Sequence, residues 1–372
     1  MKRIITATVM LSALLTASTA WGQARKAQVD DYIRAELTKL HIPGVGVAVL
    51  RNGKVELKKG YGLANVEQKI PVTPNTIFQI ASTTKSFTAM AIMILVEDGK
   101  ISLDERAFTY LPWLPTLYNG VTVHQILTHT SGINRDVRMA NVDNFTIDEF
   151  KRRFIAAPVS FKPGERWDYS NNGYILLGLI IESVTGKPYG EFLTERMFKP
   201  LGMKNTKFLE PPSKLKNRAV GYEWQENTYH ASPYFSGGFA AGGLLSTLSD
   251  MVKWNAALDS EKLLKRASLE QMQTPAKLGN GQTVNFNYRG EQTSYGFGWF
   301  LGSYRGHKLA THGGVLSGFS STIHRFVDDR ITIIVLCNSK EGERRAGEDR
   351  MGQADALARD FADIYVPNLS KK

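Results

Sequence analysis

The chain has 372 residues, 42% of them hydrophobic and 22% charged, with a formal net charge of +11 at pH 7. That length exceeds one typical domain and allows a large buried core. The basic residues are scattered among acidic ones, which argues against a nucleic-acid partner, and a single cysteine excludes an internal disulfide.

The chain opens with Lys2 and Arg3, an apolar stretch from Ile4 to Leu15, and small residues from Ala17 to Ala24. This order is that of a secretory signal peptide, read here as residues 1–22, with Ala20, Gly22 and Ala24 as alternative cleavage points. The apolar stretch is too short to span a bilayer well. No other run reaches 18 apolar residues, so no transmembrane span is expected in the mature chain. The expectation is a secreted protein of a bacterial periplasm or the cell exterior. Losing Lys2 and Arg3 would leave a charge of +9 (11 − 2). Such a surface suits anionic cell-wall polymers, and ordinary solvation explains it equally well.

Val29, Tyr32, Ile33, Leu37 and Leu40 recur at helical spacing and predict an N-terminal helix. Val45–Leu50 and Val55–Leu57 flank Asn52-Gly53, a hairpin signal. Ile80 to Val96 then combines Ser82-Thr83-Thr84-Lys85 with an apolar run that ends before Gly99. Its residues favour helix, and the lack of a polar face predicts a helix buried in a large core. Ser82 and Lys85, three apart, share a face. A lysine in a poorly solvated site loses its proton more easily, which makes it a base beside a nucleophile. A serine N-cap followed by a surface-seeking lysine is the alternative reading. The second Ser-x-x-Lys, Ser213 to Lys216, lies in a polar, proline-broken context and reads as a solvated loop.

His124 and His129 are five apart, and further zinc ligands at suitable spacing are lacking, so no metal is expected. Tyr169-Ser170-Asn171 follows the turn Lys162-Pro163-Gly164-Glu165 and precedes an apolar helix from Tyr174 to Ile181. A tyrosine there can point into a cleft and relay a proton, or be an ordinary half-buried aromatic. Gly296–Leu301, Leu309–Thr311, Phe319–Phe326 and Ile331–Cys337 read as strands, with Asp328-Asp329 as the turn between the last two. His312-Gly313-Gly314 is read as the end of the strand Lys308–Thr311, where glycine lets a backbone approach a ligand. Cys337, in an apolar strand, reads as buried and inert. Ala354, Leu357, Ala358, Phe361 and Tyr365 predict a closing helix.

The expected fold class is α+β. An antiparallel sheet is built from both termini, residues 23–80 and 285–372, and terminal helices flank it. A mainly helical region, residues 81–284, is inserted, and a site is expected between the two parts. No Gly-x-Ser-x-Gly elbow or nucleotide loop is present, and no cofactor is expected.

The order Ser-x-x-Lys, Tyr-x-Asn, His-x-Gly resembles that of the serine β-lactamase and penicillin-binding protein superfamily. The resemblance is to its class C-like branch of D-Ala-D-Ala carboxypeptidases, D-aminopeptidases and β-lactamase-fold esterases. Leu127-Thr128-His129-Thr130-Ser131-Gly132, Pro200-Leu201-Gly202-Met203 and Ala241-Gly242-Gly243-Leu244-Leu245-Ser246-Thr247 are similar to that branch too. The resemblance runs from about Ala27 to about Asn338.

It implies that Ser82 is acylated, that Lys85 and Tyr169 move its proton, and that Asn171 orients the substrate and Lys85. It implies an oxyanion hole from the N–H groups of Ser82 and Val315, with His312 and Gly314 lining the opposite wall. Most β-lactamases of this class carry lysine where His312 stands. The substitution argues against efficient β-lactam hydrolysis, because a permanent cation is replaced by a group that titrates near neutrality. The expected substrate is a small molecule or peptide: a D-amino-acid peptide, an ester or a β-lactam. The expected state is a monomer. A penicillin-recognising sensor without turnover is the competing class, and intact Ser82, Lys85 and Tyr169 favour an enzyme.

Overall fold

The computed structural model describes residues 29–135, 146–288, 290–340 and 352–369. The segment read as a signal peptide lies outside them. Residues 29–39 form helix α1. Strands β1 (Gly44–Arg51) and β2 (Lys54–Asn65) follow as the hairpin expected around Asn52-Gly53, where both residues have positive φ, +50° and +75°. That geometry matches the twist of paired strands, and Asn-Gly adopts it at little cost.

Seven further strands complete the main sheet: β3 (Ile70–Pro71), β4 (Phe286–Tyr288), β5 (Glu291–Tyr295), β6 (Phe300–Tyr304), β7 (His307–Leu316), β8 (Phe319–Phe326) and β9 (Ile331–Cys337). Their spatial order is β3-β2-β1-β9-β8-β7-β6-β5-β4, and every pairing is antiparallel. The first and last thirds of the chain thus meet at the β1–β9 ladder, where Val45 lies opposite Cys337 and Arg51 opposite Ile331.

Two cores form because successive strand residues point to opposite faces. Ile331, Ile333, Val335 and Cys337 of β9 enter one core with Val29 and Ile33 of α1 and with Leu357, Ala358 and Phe361 of α6 (Gln353–Tyr365). Ile334 and Leu336 enter the other, with Ala48 and Leu50 of β1 and the helical region. Burial on both faces is why these strands read as unbroken apolar runs. Each fully buried Leu, Ile or Phe side chain contributes roughly 1.5–3 kcal/mol.

The inserted region centres on α2 (Thr84–Glu97), buried from Thr84 to Leu95 and packed on α4 (Asn171–Thr185) and α5 (Phe239–Gly242). The short helix α3 (Val123–Leu127) packs on α4 as well. A helix walled on all sides needs no polar stripe, which accounts for its sequence.

Two strand boundaries differ from the sequence reading. Residues 296–299 are a turn between β5 and β6 rather than the start of a strand. His312-Gly313-Gly314 lies inside β7, not at its end, and β7 is flanked by β6 and β8. Glycine normally weakens a strand interior. Here two neighbouring strands supply the ladder, and close approach of another segment requires the missing side chain.

Candidate active site

The approaching segment is the turn that carries Ser82. Ala81–Thr83 is a single 3-10 turn running directly into α2, with Ala81 at φ +46°. Positive φ in a residue with a Cβ is strained and persists only where surroundings impose it. They do so here: Ile80 N–H donates to Leu244 O at 3.1 Å, Ser321 Oγ donates to Ile80 O at 2.7 Å, and Thr83 Oγ1 lies 2.9 Å from Ser321 Oγ. Strand β7 passes so close that a Cβ on Gly314 would stand 2.3 Å from Ile80 O and 2.7 Å from Ser82 N. The strand and the serine turn touch backbone to backbone at that point, and Val315, 41% exposed, follows at the surface.

Lys85 is fully buried, at 0% exposure. Its Nζ lies 2.7 Å from Asn171 Oδ1, 2.8 Å from Ala241 O and 3.2 Å from Ser82 Oγ. Desolvation pushes its pKa well below the ordinary lysine value. A neutral amine has two N–H donors and one lone pair. The two shorter contacts, to oxygens that only accept, use both donors. The lone pair is left for the third direction, that of the Ser82 hydroxyl.

Tyr169 lies beside Ser82. Desolvation raises its phenol above the usual value, and the neighbouring Ser82 hydroxyl opposes that rise. Its ring centroid is 4.8 Å from Lys85 Nζ. Asn171 is the first residue of α4, which Ser170 caps by accepting Gly173 N–H at 3.2 Å. Ser82, Lys85, Tyr169 and Asn171 therefore meet in one place although 89 residues separate the first from the last (171 − 82).

His312 is 1% exposed. Its Nδ1 lies 2.8 Å from Gly313 O and its Nε2 3.1 Å from Tyr295 Oη. A carbonyl only accepts, so Nδ1 carries a proton, and in the neutral ring Nε2 accepts from Tyr295. The imidazole is 6.3 Å from the Tyr169 ring and 5.2 Å from Phe300, centroid to centroid.

Sequence reasoning missed the aromatic wall beside Tyr169. Trp167 stacks on Phe286 at 3.8 Å and Tyr288 on Phe300 at 4.4 Å, while Phe300 lies parallel to Tyr169 at 6.2 Å. The only signal was the density of aromatics over residues 286–300, which also suits an ordinary core. Ala241 was missed too, because it contributes a backbone oxygen that any residue could supply. Ser213 is exposed in a separate turn, as expected of a bystander. Cys337 is buried, and desolvation pushes its thiol up to about 12.

A serine next to a strained alanine at the start of a buried helix, a desolvated lysine behind it and a tyrosine beside it make an arrangement suited to acyl transfer. Comparison with known proteins agrees. The chain belongs to the Beta-lactamase family, whose model matches residues 29–358, and so to the serine β-lactamase and penicillin-binding protein superfamily. It is 33% identical over 324 residues to Protein flp of Staphylococcus aureus strain MW2, covering 84% of this chain and 62% of that protein. The chain thus spans about three fifths of the length of that relative.

Among solved structures it resembles an octameric penicillin-binding protein homologue from Pyrococcus abyssi, with TM-score 0.76 and 31% identity, covering 91% of this chain and 77% of that one. It also resembles the D-amino acid amidase of Ochrobactrum anthropi SV3 complexed with D-phenylalanine, with TM-score 0.76 and 28% identity, covering 92% and 98%.

Proposed function

We propose that this protein is an exported serine hydrolase that cleaves amide or ester carbonyls through an acyl-enzyme on Ser82, of the peptidase or esterase type rather than a β-lactamase. The observation that carries the reading is the arrangement of Lys85, with both amine donors engaged and its remaining direction aimed at Ser82 Oγ.

In the first step Ser82 Oγ bonds to the substrate carbonyl carbon while its proton passes to Lys85 Nζ, with Tyr169 Oη as the neighbouring relay. The carbonyl oxygen becomes an oxyanion held by the N–H groups of Ser82 and Val315, worth on the order of 3 kcal/mol per donor. The proton then goes to the leaving amine or alcohol as the carbonyl re-forms. Water repeats the sequence on the ester, releases the acid and restores Ser82.

The choice of substrate class rests on His312. A buried imidazole whose two nitrogens lie against Gly313 O and Tyr295 Oη offers no fixed cation to the carboxylate that β-lactams carry. The wall of Trp167, Phe286, Tyr288 and Phe300 favours substrates with apolar or aromatic groups near the scissile bond. Export is inferred from residues 1–22 alone. The test is a panel of nitrocefin, a D-Ala-D-Ala peptide, D-phenylalanine amide and p-nitrophenyl butyrate, compared by kcat/KM. Ester or D-amino-acid amide turnover should exceed nitrocefin turnover by a wide margin. Nitrocefin hydrolysis at about 10⁶ M⁻¹s⁻¹ or more, in the upper range for enzymes, would make the protein a working β-lactamase. Covalent labelling without turnover of any substrate would make it a sensor.

A further inference from the structure

Residues 128–132 (Thr-His-Thr-Ser-Gly) take no direct part in acyl transfer, yet they are knitted to the loop that carries Tyr169. Gly132 O accepts Ser160 N–H at 2.9 Å, Thr130 O accepts Gly164 N–H at 2.7 Å, and His129 O accepts Asp168 N–H at 2.9 Å. Beyond that point a side chain continues the seam: Ser170 N–H donates to His129 Nδ1 at 3.1 Å. His129 therefore holds the residues on both sides of Tyr169.

The histidine is built for this contact. Its backbone is in the left-handed region, φ +59°, and its ring is 1% exposed. The ring centroid is 4.5 Å from that of Tyr169, 5.0 Å from Tyr174 and 4.7 Å from Tyr295. Because Nδ1 accepts, the proton of the neutral ring is on Nε2. That atom is buried with no hydrogen-bond partner among the described residues. An unpaired buried N–H is a cost that leucine or phenylalanine would avoid in a role of packing alone. Burial holds the ring well below the usual histidine range, so it stays neutral. The next residues, Ser170 and Asn171, cap α4 and hold Lys85. One imidazole thus stands behind two groups of the site.

We propose that His129 is a positioning residue for acyl transfer: by accepting Ser170 N–H it places Tyr169 Oη and Asn171 Oδ1 against Ser82 and Lys85. The proposal rests on the assignment of Tyr169 to the proton relay. A displacement on the ångström scale at such a group costs about a hundredfold in rate.

The experiment compares the native protein with H129A, H129N, Y169F and H129A/Y169F, by the rate of labelling with a fluorophosphonate and by kcat and KM for p-nitrophenyl butyrate. Cooperative thermal unfolding checks each fold. H129A should lower kcat and the labelling rate by about tenfold to a hundredfold with KM within about threefold. H129N should recover most of the loss, because asparagine tolerates the left-handed backbone and its Oδ1 replaces Nδ1 as acceptor. If His129 acts through Tyr169 and Asn171, the loss in the double variant should be clearly smaller than the product of the two single losses. Native-like rates in H129A, no recovery in H129N, or losses that multiply in the double variant would each overturn the proposal. If H129A fails to fold, H129N and Y169F decide: H129N slowed as severely as Y169F is the overturning result. Native-like rates in Y169F would be a different failure, removing Tyr169 from the relay and this proposal with it.

Discussion

Lys85, itself fully buried, places its Nζ 3.2 Å from Oγ of the half-buried Ser82, and its other two close partners, Asn171 Oδ1 and Ala241 O, only accept. No carboxylate pairs with Lys85 among the described residues. A buried ammonium with no anion is disfavoured, so the site converts a residue that is charged in water into a base. Four expected outcomes follow from this environment.

Ser82→Ala should abolish covalent labelling by a fluorophosphonate or a fluorescent penicillin. Ser213→Ala should leave labelling intact, since Ser213 is exposed on a separate turn. Gel fluorescence of the two variants beside the native protein checks this, and labelling that persists in Ser82→Ala would remove the nucleophile from the mechanism.

Lys85→Met should lower turnover by roughly two to four orders of magnitude. In the native protein, rate should rise with pH as Lys85 loses its proton, along a limb below the ordinary lysine range. Stability carries the same sign. The folded-state pKa is depressed below the unfolded value, so the unfolded chain binds the extra proton between the two, and native stability rises with pH across that window. Lys85→Met lacks this dependence. Its melting temperature relative to the native protein should therefore be highest near neutral pH and fall as pH approaches 10. Thermal unfolding of both proteins in matched buffers measures the difference, and a variant melting temperature that rises relative to native as pH rises would contradict a neutral Lys85.

Tyr169→Phe keeps the ring that stacks beside Phe300 and removes only the hydroxyl, which lies beside Ser82. Turnover should fall by roughly two to four orders of magnitude, with an unfolding midpoint close to native. A loss of less than about tenfold would make Tyr169 a structural aromatic.

Gly314→Ala tests the contact between β7 and the serine turn. A methyl group there would meet Ile80 O at 2.3 Å and Ser82 N at 2.7 Å. Both are backbone atoms and cannot swing away. Overpacking of this kind costs about 1–3 kcal/mol, readable from urea unfolding, and the displaced Ser82 should label at least about tenfold more slowly. Native-like stability and labelling together would show that the turn is not held by this strand.

The sequence by itself determined the elements whose burial leaves a pattern. The Val45–Leu50 and Ile331–Cys337 runs are apolar because both faces of β1 and β9 are covered. The unbroken apolar helix after Ser82 belongs at the centre of a large core, and the spacing of Ser82 and Lys85 placed them on one face. Tyr169 and Asn171 were legible from their motif at a loop-to-helix junction, although nothing local to residue 169 could say what its hydroxyl would touch.

The tertiary structure alone decided the rest. The partner of Gly314 is a turn more than 200 residues away (314 − 82 = 232), so a local reading ended the strand at glycines that in fact lie inside it. Ala241 holds Lys85 through a backbone oxygen, which leaves no trace in side-chain identity. The neutrality of His129 depends on the hydrogen bond from Ser170 and on a dry surround assembled from distant helices and strands, and the setting of His312 depends on Gly313 and Tyr295. Pattern and propensity act over a few residues, whereas desolvation and donor geometry are set by whichever segments the fold brings together.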